Sequence, residues 1–434
     1  MNILIRNVDV ITCNDSNQVI KNAYLGIKNG YIDIIHTDEK NLNDFKADRT
    51  IDGKNKLLMP GLVNAHTHCG MTILRNFAND LALEEWLFNN IFPAEAKLSP
   101  EDVYWGTLLG IAEMIRTGTT TFADMYLHMD TVAKAVTETG IRANLSKNPL
   151  KFDTSGKGII DEVPLCFEYY KNWNNSANGR VKVYIEVHSV YLFNEESLRK
   201  SAQIAKELNT GIHIHILETL HEREESLKKY GMSAAEICME TGIFDVPVMA
   251  AHCVHLSPKD MEIIKEKNVN VVHNPSSNLK LGSGIAKIPE MLKRGINVSL
   301  GTDGAASNNN LNMVEEMHLA ALIHKGVHMD PTCLNACDTL KMATLNGAKA
   351  AGFGNETGMI KEGMKADLIL IDIDKPHICP VNDLVSAVVY SAQGADVDTV
   401  LIDGNIVMEK GELSTIDEEK VKYKVKEIAR RVLN

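Results

Sequence analysis

No two cysteines in this chain form a CxxC pair: the eight, Cys13, Cys69, Cys166, Cys238, Cys253, Cys333, Cys337 and Cys379, are dispersed. Dispersed cysteines without a secretory leader indicate reduced thiols and a cytoplasmic location. The N-terminal stretch MNILIRNVDVITCND alternates like a strand and has no cleavable apolar segment. No uninterrupted apolar run reaches the roughly 18 residues of a membrane span, so no membrane partner is expected. A dense Lys/Arg patch is also missing, and the formal charge is −12. Such an acidic chain is a poor partner for nucleic-acid backbone. Low-complexity segments and short-period repeats are absent too.

What is there is an ordinary globular composition, 44% hydrophobic and 24% charged over 434 residues. That suffices for one α/β barrel plus a smaller domain. Residues 1–57 read as short strands and turns, with Asn29-Gly30 and Asp52-Gly53 as hairpin signals. From Pro60 onward, helical stretches alternate with short apolar strands such as VKVYIEVHSV, GIHIHIL, VPVMAAHC, NVNVVHN and INVSLGTD. Gly118, Gly140, Gly211, Gly242 and Gly295 stand where left-handed helix caps belong. The alternation predicts a parallel α/β fold, most simply a closed (β/α)8 TIM-type barrel over 58–364. Strand-and-turn texture returns near Gly363. Residues 365–434 therefore pair with 1–57 in one composite β domain, a small β-sandwich, and a charged helix ends the chain.

The barrel strands end in polar, metal-capable residues: His66 and His68, then His188, His213 with His215, His252, His273 and Asp303. Barrel active sites gather at the C-terminal strand ends, so these residues converge. Residues two apart in a strand share a face, which makes His66 and His68 a chelating half-site. Imidazoles plus one carboxylate, with a position left for water, suit a catalytic divalent ion, Zn²⁺ first and Fe²⁺ or Mn²⁺ as alternatives. Such an ion brings the pKa of water toward ~7. Glu218 follows His215 by three residues; alone it reads as a solvated loop glutamate, but beside a ligand it reads as a general acid/base. His252 is either a ligand or a proton carrier. His213 shares a face with His215 and reads better as a buried structural histidine, and His273 is undecided. His128, His221 and His255 read as bystanders, and Met291, Met313 and Met317 as helix core.

The segments PGLVNAHTHCGMTILRN, EMIRTGTTTFADMY, IHIHILET, AHCVHLS, HNPSSNLKLGSG and GTDGAASNNNLNM together resemble the deaminase branch of the amidohydrolase superfamily, closest to the 5-methylthioadenosine/S-adenosylhomocysteine deaminases. The resemblance spans nearly the whole chain. It implies His66, His68, His215 and Asp303 as ligands of one metal ion per chain. It further implies Glu218 as the proton shuttle, His252 as the histidine that orients the attacking water, and Glu95 as acceptor of the ribose hydroxyls. His188 matches a substrate-binding histidine, and Trp86 and Ser307 fall where the family lines its nucleoside pocket. One departure concerns the 5′ end of the substrate. Where the family places an arginine after the serine, this chain has Lys147, and a second arginine further on is replaced by Lys157 alone. Lysine lacks the bidentate fork that suits a carboxylate. Small apolar 5′ groups are therefore expected to be handled at least as well as S-adenosylhomocysteine.

The implied activity is hydrolytic deamination of adenine nucleosides. Asp303 or His252 takes a proton from the metal-held water, and Glu218 donates to N1 of the ring. Guanine deaminase and triazine hydrolase are alternatives on the same scaffold, and Glu95 argues for a nucleoside over a free base. A binuclear hydrolase needs a bridging lysine on the fourth strand, but Lys182 lies near that strand's start. A non-enzymatic relative should have lost ligands, and all four candidates are present. The partner expected is a small nucleoside, with the protein a homo-oligomer.

Overall fold

The structure is a computed structural model and describes residues 1–14, 16–42, 45–153 and 158–433. Eight apolar segments become parallel strands: β1 (Leu62–His68), β2 (Thr119–Met125), β3 (Arg142–Lys147), β4 (Val181–Ser189), β5 (Ile212–Ile216), β6 (Val248–His252), β7 (Asn270–His273) and β8 (Val298–Leu300). A ninth, β9 (Asp303–Gly304), follows β8 after Gly301 and Thr302. They form one sheet in the order β8-β7-β6-β5-β4-β3-β2-β1-β9. The last segment returns to the first, since Asp303 pairs in parallel with Thr67 of β1. These strands are buried along most of their length, as expected of a parallel sheet covered on both faces; every residue of β2 is buried. Val63, Ala65, Ala123, Tyr184, Met249 and Val272, from strands spread across the sheet, share one core cluster with Phe353.

The helix Met129–Thr139 ends on Gly140 in the left-handed region (φ 83°), as the sequence indicates. Gly211 does not do the same. There the left-handed residue is Asn209 (φ 49°), whose short amide tolerates that region.

Segments from both chain ends form a second, mixed sheet of nine strands. Asn29-Gly30 closes a two-residue hairpin, with φ 53° and 82° and Lys28 opposite Tyr31. The Asp52-Gly53 pair does not make the hairpin expected of it. Arg49–Asp52 and Lys56–Pro60 both run parallel to Ile3–Ile11 instead of pairing with each other. Glycine is required at 53 by space, because a Cβ there would lie 2.5 Å from Val8 Cβ. The final helix, Glu418–Leu433, buries Val421, Val425, Ile428 and Val432. It packs on the helix Pro100–Arg116, where Arg116 meets Glu418 and Arg431 meets Asp102, each at 2.5 Å. No described helix is long and apolar enough to cross a membrane.

Candidate active site

The ends of β1, β5 and β6 and the start of β9 bring His66, His68, His215, His252 and Asp303 to one place. Two overlapping sets, His66 with His215 and His252, and His66 with His68 and Asp303, have ligand atoms within 4.8 Å of one another. The order of hydrogen bonds fixes which ring nitrogens face inward. His68 Nδ1 donates to Met125 O and His215 Nδ1 to His188 O, both at 2.6 Å. Their Nε2 atoms are then bare lone pairs, and they lie 3.3 Å apart. Asp303 Oδ1 is 3.3 Å from His66 Nε2 and 3.2 Å from His68 Nε2. Acceptors that converge in this way need a cation between them. Without a metal ion a proton must serve: burial lowers His68, but the Asp303 carboxylate outweighs it and lifts the ring to about 9. Burial, aided by His68 and His252 and opposed by Asp303, pulls His66 down to about 4. Nitrogen and carboxylate donors in this number fit one divalent ion.

The neighbouring groups fix the donors. His213, fully buried, holds His66 Nδ1 at 2.8 Å, so it is the structural histidine that the sequence favoured. Asp303 Oδ2 accepts from Ser277 Oγ at 2.6 Å and Ser307 Oγ at 2.8 Å. Ser307, expected to line the nucleoside pocket, is thus buried with its hydroxyl on Asp303. Asp303 and His252 both adopt left-handed backbone (φ 63° and 70°), strain of the kind that collects at functional sites.

His252 Nδ1 meets Asn278 Oδ1 at 2.8 Å, which leaves Nε2 as a free acceptor, 3.8 Å from Glu218 Oε2. Glu218 is buried, accepts from Ser283 Oγ at 3.2 Å, and is raised above the ordinary carboxyl range by that burial. Its backbone is held by Glu222, whose two oxygens accept from Leu217 N at 3.0 Å and Glu218 N at 2.8 Å.

A cavity of about 120 Å³ opens on the cluster. His68, His215, Glu218, His252 and Asp303 line it, and so do Trp86, Glu95 and His188. Burial pushes Glu95 up to about 7 and His188 down to about 3. Lys147 lies outside this cavity, in an adjoining one, with Nζ 2.6 Å from Glu162. Lys157 falls outside the described residues. His273 is not in the cluster and pairs with His324 at 3.3 Å. His255 donates to Ser283 O at 2.7 Å. Met291, Met313 and Met317 are core, as read from the sequence. Sequence reasoning missed Ser277, Asn278, Glu222 and Glu186. Of these only Glu186 left a signal, lying two residues before His188 on the same strand face.

The sequence profile of the amidohydrolase family matches residues 57–407. A 5-methylthioadenosine/S-adenosylhomocysteine deaminase of Acetivibrio thermocellus is 75% identical over 433 residues, with 100% of each chain covered. One of Thermoanaerobacter pseudethanolicus is 49% identical over 433 residues, again with 100% of each covered. Among solved structures, an adenosine deaminase from Xanthomonas campestris with bound zinc superposes with a TM-score of 0.95 at 32% identity, over 99% of this chain and 98% of that one.

Proposed function

Because this chain belongs to the amidohydrolase family, we propose that the histidine–aspartate cluster is the metal centre of a hydrolytic deaminase of adenine nucleosides, 5′-methylthioadenosine and S-adenosylhomocysteine foremost. The enzyme is a metal-dependent aminohydrolase. It replaces the 6-amino group of the purine by oxygen, giving the inosyl product and ammonia. The observation that carries the site is the set of bare Nε2 atoms facing Asp303, with buried Glu218 beside His252.

We assign His66, His68, His215 and Asp303 as ligands of one Zn²⁺ ion; Fe²⁺ and Mn²⁺ suit the same donors. The bound ion supplies a water whose pKa falls toward ~7. His252 holds Nε2 toward the site centre as the base, and Ser277 and Ser307 orient the Asp303 carboxylate. Glu218, whose burial favours its protonated form, donates to ring N1 as the C6–O bond forms. The proton that His252 took from the water then passes to N6, the adduct's hydroxyl proton returns to Glu218, and ammonia leaves as the C6–N6 bond breaks. Glu95 accepts from the ribose hydroxyls, and Trp86 and His188 enclose the base and sugar.

At the level of architecture, we read the parallel sheet as a closed (β/α)8 barrel over 58–364. The pairing of β9 with β1 and the core shared across the sheet support this. We read 1–57 with 365–434 as one composite domain. Ile3, Ile5, Leu25, Leu368, Leu370 and Leu401 share a core of their own, which supports a sheet curled into a sandwich. The eight unpaired cysteines support a cytoplasmic location. Exposed Leu322, Val327 and Met329, on and just after the helix Met313–His328, support a homo-oligomer.

The test is metal analysis with ammonia release from 5′-methylthioadenosine, S-adenosylhomocysteine, adenosine, 5′-deoxyadenosine and guanine. About one equivalent of metal and turnover of the adenine nucleosides are expected. Turnover of guanine alone overturns the reading.

A further inference from the structure

Lys182, Tyr184, Glu186 and His188 share one face of β4, because alternate residues of a strand do so. Glu186 lines the cavity that holds Glu218 and His252, beside His188. It also lines an adjoining cavity of about 580 Å³, with Lys147, Lys151 and Glu162. Glu186 therefore stands at the passage between the two. Glu95 borders both as well, so a nucleoside held there by its ribose sends its 5′ end into this second space.

Glu186 Oε2 is buried and has no hydrogen-bond partner among the described residues. A buried carboxylate oxygen without a donor is costly, and such groups are retained where a ligand meets them. Two lysines reach the same cavity. Lys147 is engaged, with Nζ 2.6 Å from Glu162 and 3.2 Å from Asn148 Oδ1. The Lys151 side chain makes no hydrogen bond or ion pair among the described residues. One buried carboxylate oxygen without a donor and one half-buried lysine thus border one space.

We infer that Glu186 and Lys151 form a subsite for zwitterionic 5′ substituents, with the substrate's ammonium on Glu186 Oε2 and its carboxylate on Lys151 Nζ. The inference rests on the deaminase reading and makes Glu186 a specificity-determining residue within it. An α-amino acid head carries both charges on neighbouring atoms and complements the pair. A lone carboxylate meets Glu186 and Glu162 as like charges. A methylthio group touches neither charge.

Four nucleosides separate these cases: 5′-methylthioadenosine, S-adenosylhomocysteine, 5′-(3-aminopropylthio)adenosine and 5′-(3-carboxypropylthio)adenosine. In Glu186→Gln, kcat/KM should fall at least about tenfold for the two ammonium-bearing compounds, the size of a charge-assisted hydrogen bond. For 5′-methylthioadenosine it should stay within about threefold. Lys151→Ala should weaken S-adenosylhomocysteine and spare the aminopropyl compound. Calorimetric Kd values for the inosyl products of S-adenosylhomocysteine and 5′-methylthioadenosine should split in the same way. Equal losses on all four compounds, or none, overturn the subsite while leaving the deaminase reading intact. Wild-type protein that releases ammonia from none of them overturns both. Should Glu186→Gln not fold, unchanged S-adenosylhomocysteine kinetics in Lys151→Ala overturn the subsite alone.

Discussion

Glu222 does not line the cavity over the cluster, yet both its oxygens hold backbone N–H groups at Leu217 and Glu218. Leu217 is left-handed (φ 51°), so the turn that aims Glu218 depends on those two bonds. Glu222→Gln puts an amide N–H against a backbone N–H and loses one of them. It should lower kcat about tenfold or more with the metal retained and KM little changed, since near-attack geometry is lost before binding is. Steady-state kinetics with metal analysis decide it, and wild-type kcat would contradict the positioning role. Glu218→Gln removes the titrating group itself. It should cost at least the roughly 10²-fold in kcat typical of a general acid/base, again with metal retained.

At the scale of elements, β3 is tied to the strand Leu368–Asp372 through a buried fork. Arg142 Nε lies 2.7 Å from Asp367 Oδ2 and Nη2 lies 3.0 Å from Oδ1, with both side chains 1% exposed. Arg142→Met leaves the carboxylate buried and unpaired and should cost about 3–5 kcal/mol of unfolding free energy. Denaturant unfolding measures it, and a loss below ~1 kcal/mol would show that water or Lys365 takes over. The helix Met313–His328 carries a second buried carboxylate, Glu316, which accepts from Ser276 N and Asn308 Nδ2. Burial raises it from 4.5 to about 7. The folded state then keeps a proton that the unfolded chain has released. Its contribution to stability is present below about 4.5 and lost as pH rises to about 7. Glu316→Gln cannot ionise. The variant's Tm minus that of wild type should therefore climb across that window, whereas a flat difference would show an ordinary glutamate.

For the molecule as a whole, the proposed metal centre joins β1, β5 and β9, strands far apart in sequence. Removing the ion leaves two imidazole nitrogens 3.3 Å apart beside a carboxylate, held together by no more than a proton. Chelation should abolish ammonia release and lower Tm, and added Zn²⁺ should restore both. At free metal 100 times Kd the stabilisation is about 2.7 kcal/mol. His66→Ala and Asp303→Ala should lose metal by elemental analysis; full occupancy in both would refute the ligand assignment.

The sequence by itself determined the order of the elements, the parallel strands and the histidines at their ends. Each of these is a local property: a period of two, an apolar run, a glycine or an amide at a turn. His66 and His68 share a face by spacing alone, and the Asn29-Gly30 turn dictates its own hairpin. Only the tertiary structure decided the rest, because it depends on neighbours brought from elsewhere in the chain. Asp52-Gly53 reads as a hairpin until Val8 and the parallel pairing to Ile3–Ile11 claim that segment. That the Ser307 hydroxyl sits on Asp303, and that Glu162 engages Lys147, is likewise visible only in the fold. Glu186 carries no motif. What distinguishes it is an oxygen between two cavities with no partner among the described residues, and a linear sequence has no measure of which oxygens remain unpaired once the parallel strands come together.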